Sequence, residues 1–89
     1  MIERTVKLEN RLGLHARAAA KLVHLAAGFE SKVTLARDGD EVDGKSILGL
    51  LLLAASQGSE ILVRVDGTDE KDAFAALQNL IDRRFDEKE

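Results

Sequence analysis

Ile61, Val63 and Val65 fall on alternate positions of the stretch from residue 60 to 66. Successive side chains of a β-strand point to opposite faces, so this stretch reads as a strand buried on one side only. The pattern recurs at residues 2–8, where Ile2, Val6 and Leu8 share a parity that Arg4 interrupts, and at residues 31–37, where Val33 and Leu35 share one. Asp38-Gly39 is a strong hairpin signal, so Glu41-Val42-Asp43 reads as a short returning strand at a polar sheet edge. Strands buried on one side need one cover. Ala73, Phe74, Leu77, Leu80 and Ile81 at helical spacing form one apolar stripe, and Ala16, Ala19, Ala20, Val23, Ala26 and Ala27 another. With a third helix after residue 46, the order is strand, helix, strand, strand, helix, strand, helix. A two-layer α+β fold satisfies it, a four-stranded sheet covered on one face by three helices.

Local signals set the expected ends of these elements. Gly28 is read as a left-handed stop for the first helix, and His24 as a solvated helix residue. Ser46 is read as the N-cap of the second helix, and Thr68 or Asp69 as the cap of the third, whose early acids Glu70 and Asp72 suit the helix dipole. Arg83, Arg84 and the acidic residues from 86 to 89 read as a solvated, fraying end. The second helix carries more large apolar residues than one stripe can bury. Leu50, Leu53 and Ala54 make one face, and Ile47, Leu48, Leu51 and Leu52 a neighbouring one. Periodicity leaves two readings, a longer helix with all of these in the core or a helix with the second face partly exposed.

At 89 residues the chain reads as a single domain spanning residues 1–89. Apolar residues make up 45% and charged residues 33%, the balance of a soluble globular chain and not of a disordered one. A net charge of -3 and three phenylalanines as the only aromatics supply neither a basic footprint nor a stacking platform, which argues against nucleic-acid binding. There is no cysteine for a disulfide or thiolate metal site. The start of the chain lacks the apolar core of a signal peptide and no run approaches a bilayer span, so the expected location is the cytoplasm, without membrane insertion.

Chemistry concentrates at Gly13-Leu14-His15-Ala16-Arg17, which runs directly into the alanine-rich helix. His15 falls at the start of that helix, where the first amides have no partner within the helix and carry the positive end of its dipole. Such an end suits an anion. The same field disfavours imidazolium, which keeps His15 neutral and nucleophilic near physiological pH. Arg17 could bring a planar set of donors to phosphate oxygens. These residue types at this spacing point to a phosphoryl-accepting histidine; the plainer reading is a capping or surface residue. His24, about two turns further on, is too distant to act on the same group.

A second motif misleads. Gly39, Gly44, Lys45 and Ser46 satisfy the spacing of the nucleotide-binding P-loop. A P-loop follows a buried strand, however, and here its first glycine sits in an expected hairpin. Asp40, Glu41 and Asp43 would crowd carboxylates against the phosphates. The match is read as accidental.

The run GLHARAAAKLV closely resembles the active-site signature of the HPr family, the histidine-containing phosphocarriers of the bacterial sugar phosphotransferase system, with their nitrogen-related paralogues. The resemblance extends to Lys45-Ser46-Ile47-Leu48-Gly49 and to the order of elements along nearly the whole chain. It implies an antiparallel sheet of order 1-4-2-3, an open-faced sandwich. It implies that His15 takes a phosphoryl group on Nδ1 from a phosphoenolpyruvate-dependent enzyme I-type donor and passes it to a IIA-type acceptor protein. Arg17 would stabilise the group in flight. By the same resemblance Ile47, Leu48, Leu51 and Leu52 form an exposed docking patch, and Ser46 is a site that a dedicated kinase phosphorylates in some bacteria. The chain would then be a monomeric carrier without cofactor or metal of its own, not an enzyme. One departure is Ala18, where the family commonly has proline to stiffen the first helical turn. Rival readings are a regulatory interaction module in which His15 is idle, and a small-molecule-sensing domain of the same architecture.

Overall fold

In a computed structural model, residues 1–87 are described. They form β1 (Ile2–Lys7), α1 (Ala16–Ala27), β2 (Lys32–Arg37), β3 (Asp40–Asp43), α2 (Ile47–Leu53), β4 (Glu60–Asp66) and α3 (Glu70–Asp82), followed by one further turn at Arg84–Asp86. The order is the expected one, and the sheet runs β1-β4-β2-β3 with every pairing antiparallel. The strand with the cleanest alternation, β4, lies inside the sheet. Its Val63 stands opposite Arg4 on β1 and Leu35 on β2. Ile61, Val63 and Val65 are buried, together with Val33 and Leu35 from β2. Arg4 breaks the apolar parity at no cost in buried charge because β1 is an edge strand and Arg4 is exposed there.

Asp38 and Gly39, with φ of 52° and 88°, make the β2–β3 turn with both central residues left-handed. That backbone matches the twist of the strands it joins. Gly44, the second glycine of the P-loop look-alike, lies against β2. Its amide donates to the Val33 carbonyl at 2.8 Å, and a Cβ there would stand 2.4 Å from Val33 Cγ1. The glycine serves a close chain crossing, not a phosphate. Ser46 caps α2 as expected, its hydroxyl accepting from the Gly49 amide at 3.1 Å, a contact worth about 1 kcal/mol relative to alanine.

Four local expectations are corrected. In α1 the buried face is Ala18, Ala19, Leu22 and Ala26, while Ala16, Ala20 and Ala27 are exposed and Val23 is half-buried. Burying one leucine removes far more apolar area from water than burying an alanine, so Leu22 sets the roll of the helix. Gly28 is right-handed, φ -75°, and ends α1 with its amide on the Leu25 and Ala26 carbonyls. The left-handed stop belongs instead to α2, where Ala54 has φ 52° and is exposed, not part of the core face. Asp69 stands at the N-cap position of α3 without a side-chain cap, because its carboxylate accepts from the Ser31 hydroxyl and from the Glu30 and Ser31 amides at 2.8 and 2.9 Å. It ties the end of α1 to the start of α3.

The largest correction concerns the end of the chain. Phe85 is completely buried, and Arg84, Phe85 and Asp86 have φ of 57°, 55° and 62°. A left-handed run of non-glycine residues costs roughly 1–2 kcal/mol at each. Burial of the phenylalanine offsets it, and the turn brings the chain back onto α1. Arg83, Arg84 and Asp86 are exposed as expected, but residues 85 and 87 are docked. The rest of the acidic end, residues 88 and 89, lies outside the described residues.

Candidate functional site

The loop between β1 and α1 is built to present its last residue. The Leu8 amide donates to the Ser59 carbonyl at 3.0 Å, and the Leu14 amide to the Ala55 carbonyl at 2.9 Å, so both ends of the loop are tied to the segment after α2. Gly13 has φ 63°, and a Cβ on it would stand 2.5 Å from the Ala55 oxygen and 2.8 Å from the Ser56 Cα. Only glycine fits that backbone and that approach. Asn10 is fully buried and closes the loop from within, its Nδ2 donating to the Gly13 carbonyl at 2.7 Å.

His15 is the residue immediately before α1, with extended backbone and no side-chain cap. Its carbonyl accepts from the Ala19 amide at 2.8 Å, the first bond of the helix. The amides of residues 16–18 precede that ladder and open toward the same end. The imidazole is partly exposed, at 26%, and borders an open cleft of about 710 Å³. Arg17 and Lys21 of α1 and Arg11 of the loop line the cleft, with Asp86 and Glu87 from the chain end. Thus His15 and Arg17 are brought together as the sequence suggested, at the positive end of a twelve-residue helix. His24 is exposed further along α1 and does not line the cleft.

Sequence reasoning missed the other wall. His15 Nε2 and a carboxylate oxygen of Glu87 are in direct contact. The second Glu87 oxygen accepts from Asn10 Nδ2 at 3.1 Å, and Lys21 Nζ donates to the Phe85 carbonyl at 2.7 Å. Two acceptors on one nitrogen fix the Asn10 amide orientation. Burial acts to raise the Glu87 carboxyl, but the hydrogen bonds from His15 and Asn10, with attraction to His15 in its protonated form and to Lys21, outweigh it and hold the group below the usual carboxylate range. The one signal available was Phe85, a large apolar residue four positions after Ile81.

On the neighbouring surface Ile47, Leu48, Leu51 and Leu52 are exposed, Leu48 at 67% and Leu52 at 73%, while Leu50 and Leu53 are buried. Of the two readings for α2, the structure selects the helix with an exposed second face. Leu12, in the loop before His15, is likewise exposed and lines the cleft. Because α2 leads into Ala55, whose carbonyl holds Leu14, the patch adjoins the loop that carries His15. Ser46 stands at the other end of α2, half-buried in its cap. No group of acidic, histidine or cysteine side chains suited to a metal occurs among the described residues, and no helix among them is long and apolar enough to cross a membrane.

Comparison with known proteins gives this geometry a family. Residues 2–83 match the family described as the PTS HPr component phosphorylation site. The phosphocarrier protein HPr of Xylella fastidiosa is 53% identical, with 98% of each chain covered. A crystal structure of HPr from Thermoanaerobacter tengcongensis superposes with a TM-score of 0.96 at 39% identity over the whole of both chains. An HPr dimer from the same organism gives 0.79 at 40% identity, covering 98% of this chain and all of the other. Agreement in sequence and in backbone over nearly the full length places the chain in the HPr family, the phosphocarrier component of the phosphotransferase system.

Proposed function

We propose that His15 is the residue on which this chain carries its phosphoryl group, taken from an enzyme I-type donor charged by phosphoenolpyruvate and given to a IIA-type acceptor. The observation that carries the reading is the position of the His15 ring, partly exposed in a cleft beside the opening amides of α1 and the cations Arg17 and Lys21. Preorganised donors of this kind stabilise the charge that spreads over the phosphoryl oxygens in transfer. Arg17 supplies the movable part of that set and the amides the fixed part. The cleft is open, which suits a group that must be handed from one protein to another and not consumed in place.

The exposed face of α2, with Ile47, Leu48, Leu51 and Leu52, is the docking surface for donor and acceptor in turn. An apolar surface beside a reactive group is the ordinary mark of a partner site. One copy of the chain holds His15, Arg17 and Lys21 around the same cleft, which supports the single chain as the working unit. Ser46 offers a kinase its cap hydroxyl, and a phosphate there would add negative charge at one end of the docking face.

The test is intact-protein mass after incubation with phosphoenolpyruvate, magnesium and an enzyme I. One acid-labile phosphoryl group is expected on the wild type and on His24→Ala, and none on His15→Ala. An adduct that survives in His15→Ala would overturn the assignment.

A further inference from the structure

The contact between Glu87 and His15 bears on how the ring presents Nδ1, the nitrogen that the family resemblance names as the phosphoryl carrier. A carboxylate against Nε2 favours the tautomer with its proton there, and so leaves the Nδ1 lone pair as the nucleophile. The arrangement around Glu87 is built, not incidental. One carboxylate oxygen meets the ring and the other is held by the buried Asn10, which also closes the His15 loop. The segment just before it is fastened by buried Phe85, by Lys21 on the Phe85 carbonyl, and by three left-handed residues that the packing holds in place. Strain retained beside a reactive group is a recurrent mark of function. The side chain of Glu87 is itself only 16% exposed.

We propose that Glu87 is a positioning residue for phosphoryl transfer, fixing the Nε2–H tautomer of His15 and keeping that proton on Nε2 through both halves of the carrier cycle. The proposal rests on the assignment of His15 as phosphoryl acceptor. On loading, the Nδ1 lone pair forms the bond to phosphorus while the bond from phosphorus to the donor breaks, its electron pair leaving with the donor. The ring, still protonated at Nε2, takes up positive charge, and the Glu87 carboxylate faces that charge. On unloading, the electron pair of the Nδ1–P bond returns to the ring, which departs as neutral imidazole with its Nε2 proton in place. Losing that proton first would make the ring an anionic leaving group and slow the transfer. The role parallels that of the carboxylate behind a catalytic histidine in hydrolases, which sets the tautomer and stabilises the imidazolium without taking the proton.

The experiment compares wild type, Glu87→Gln, Glu87→Asp and His15→Ala, each first checked for native far-ultraviolet circular dichroism. Ring ¹⁵N spectra report the His15 tautomer, and ³¹P spectra titrate Nε2 of the phosphorylated ring. Stopped mixing with a IIA-type acceptor gives the unloading rate across pH. Glu87→Gln is expected to weaken the preference of the ring for its proton on Nε2 and to slow unloading by about tenfold at the alkaline end of the range, the weight of one lost opposite charge beside the ring. Glu87→Asp should recover part of both shifts, which a merely structural role would not produce. Unchanged tautomer, titration and pH profile in Glu87→Gln, with the adduct still absent in His15→Ala, would overturn the role of Glu87 and leave His15 the acceptor. An adduct persisting in His15→Ala would overturn both.

Discussion

Replacing Phe85 by alanine tests whether the chain end belongs to the folded unit. The side chain is completely buried although it lies beyond the last helix, so truncation leaves a cavity where an aromatic ring stood. Core Phe→Ala changes cost about 3–5 kcal/mol. Alanine at a left-handed position keeps the backbone penalty, since it too carries a Cβ, so nothing offsets the lost packing. For a domain of this size each kcal/mol moves the melting midpoint by about 4–8 °C, which predicts a drop of at least about 12 °C. Phe85→Gly sharpens the test. Glycine loses the same ring but relieves the left-handed backbone, so it should match or exceed the stability of Phe85→Ala, opposite to the usual ranking at right-handed positions. Urea denaturation followed by circular dichroism gives both values. A loss below about 1 kcal/mol for Phe85→Ala, no larger than an average substitution, would mean that the end is not packed and would remove the support beneath Glu87.

Three further outcomes are expected. Gly13→Ala forces a Cβ to within 2.5 Å of the Ala55 oxygen at φ 63°, and should cost more than about 1 kcal/mol in denaturation while slowing phosphoryl loading through displacement of His15. Asp69 has its carboxyl held below the ordinary value of 3.8, chiefly by the Ser31 hydroxyl and then by the Glu30 amide. Its stabilisation is fully present above that value and is lost as pH falls through the lowered one, so Asp69→Asn should flatten the acid limb of the stability profile measured from pH 2 to 6. Leu48→Asp combined with Leu52→Asp alters exposed positions, and should leave stability within about 0.5 kcal/mol per site. In a coupled transfer assay the same variant should raise KM for donor and acceptor by at least about tenfold, the weight of one 1.4 kcal/mol contact.

How much of this was legible in the sequence depended on the range of the signal. Alternation along residues 60–66 placed β4, and one-sided alternation in three strands dictated a single helical layer, because burial on one face is written into each strand by itself. The strand order came from family resemblance, since periodicity says which face a strand buries and nothing about its neighbour. The roll of α1 was misread because five alanines at helical spacing outnumber one Leu22 that outweighs them in area. His15 and Arg17 were legible because glycine, histidine and helix start are contiguous. Glu87 was not, since 72 residues separate it from His15 and the contact exists only once Phe85 has found its cavity. An acidic run after the last helix looks the same on paper whether it frays or docks.

The misread chain end changes how the site is understood. Seen from the loop alone, it is an anion-binding helix start, which would hold a phosphoryl group and also hold on to it. A carrier needs the opposite balance, a group stabilised enough to survive between partners and labile enough to leave. On the proposed assignment, cations and amides on the α1 side would draw the phosphoryl oxygens in, while Glu87, and Asp86 beside its partner Arg83, would place negative charge on the other side of the cleft. Two like charges in an open, solvated cleft repel weakly, by roughly 1 kcal/mol at 4 Å in water, too little to block loading and enough to oppose over-stabilisation. A site walled only by cations would bind more tightly and pass the group on more slowly. If His15 carries the phosphoryl group as proposed, the acidic residues across the cleft would help make it a station for that group and not a sink.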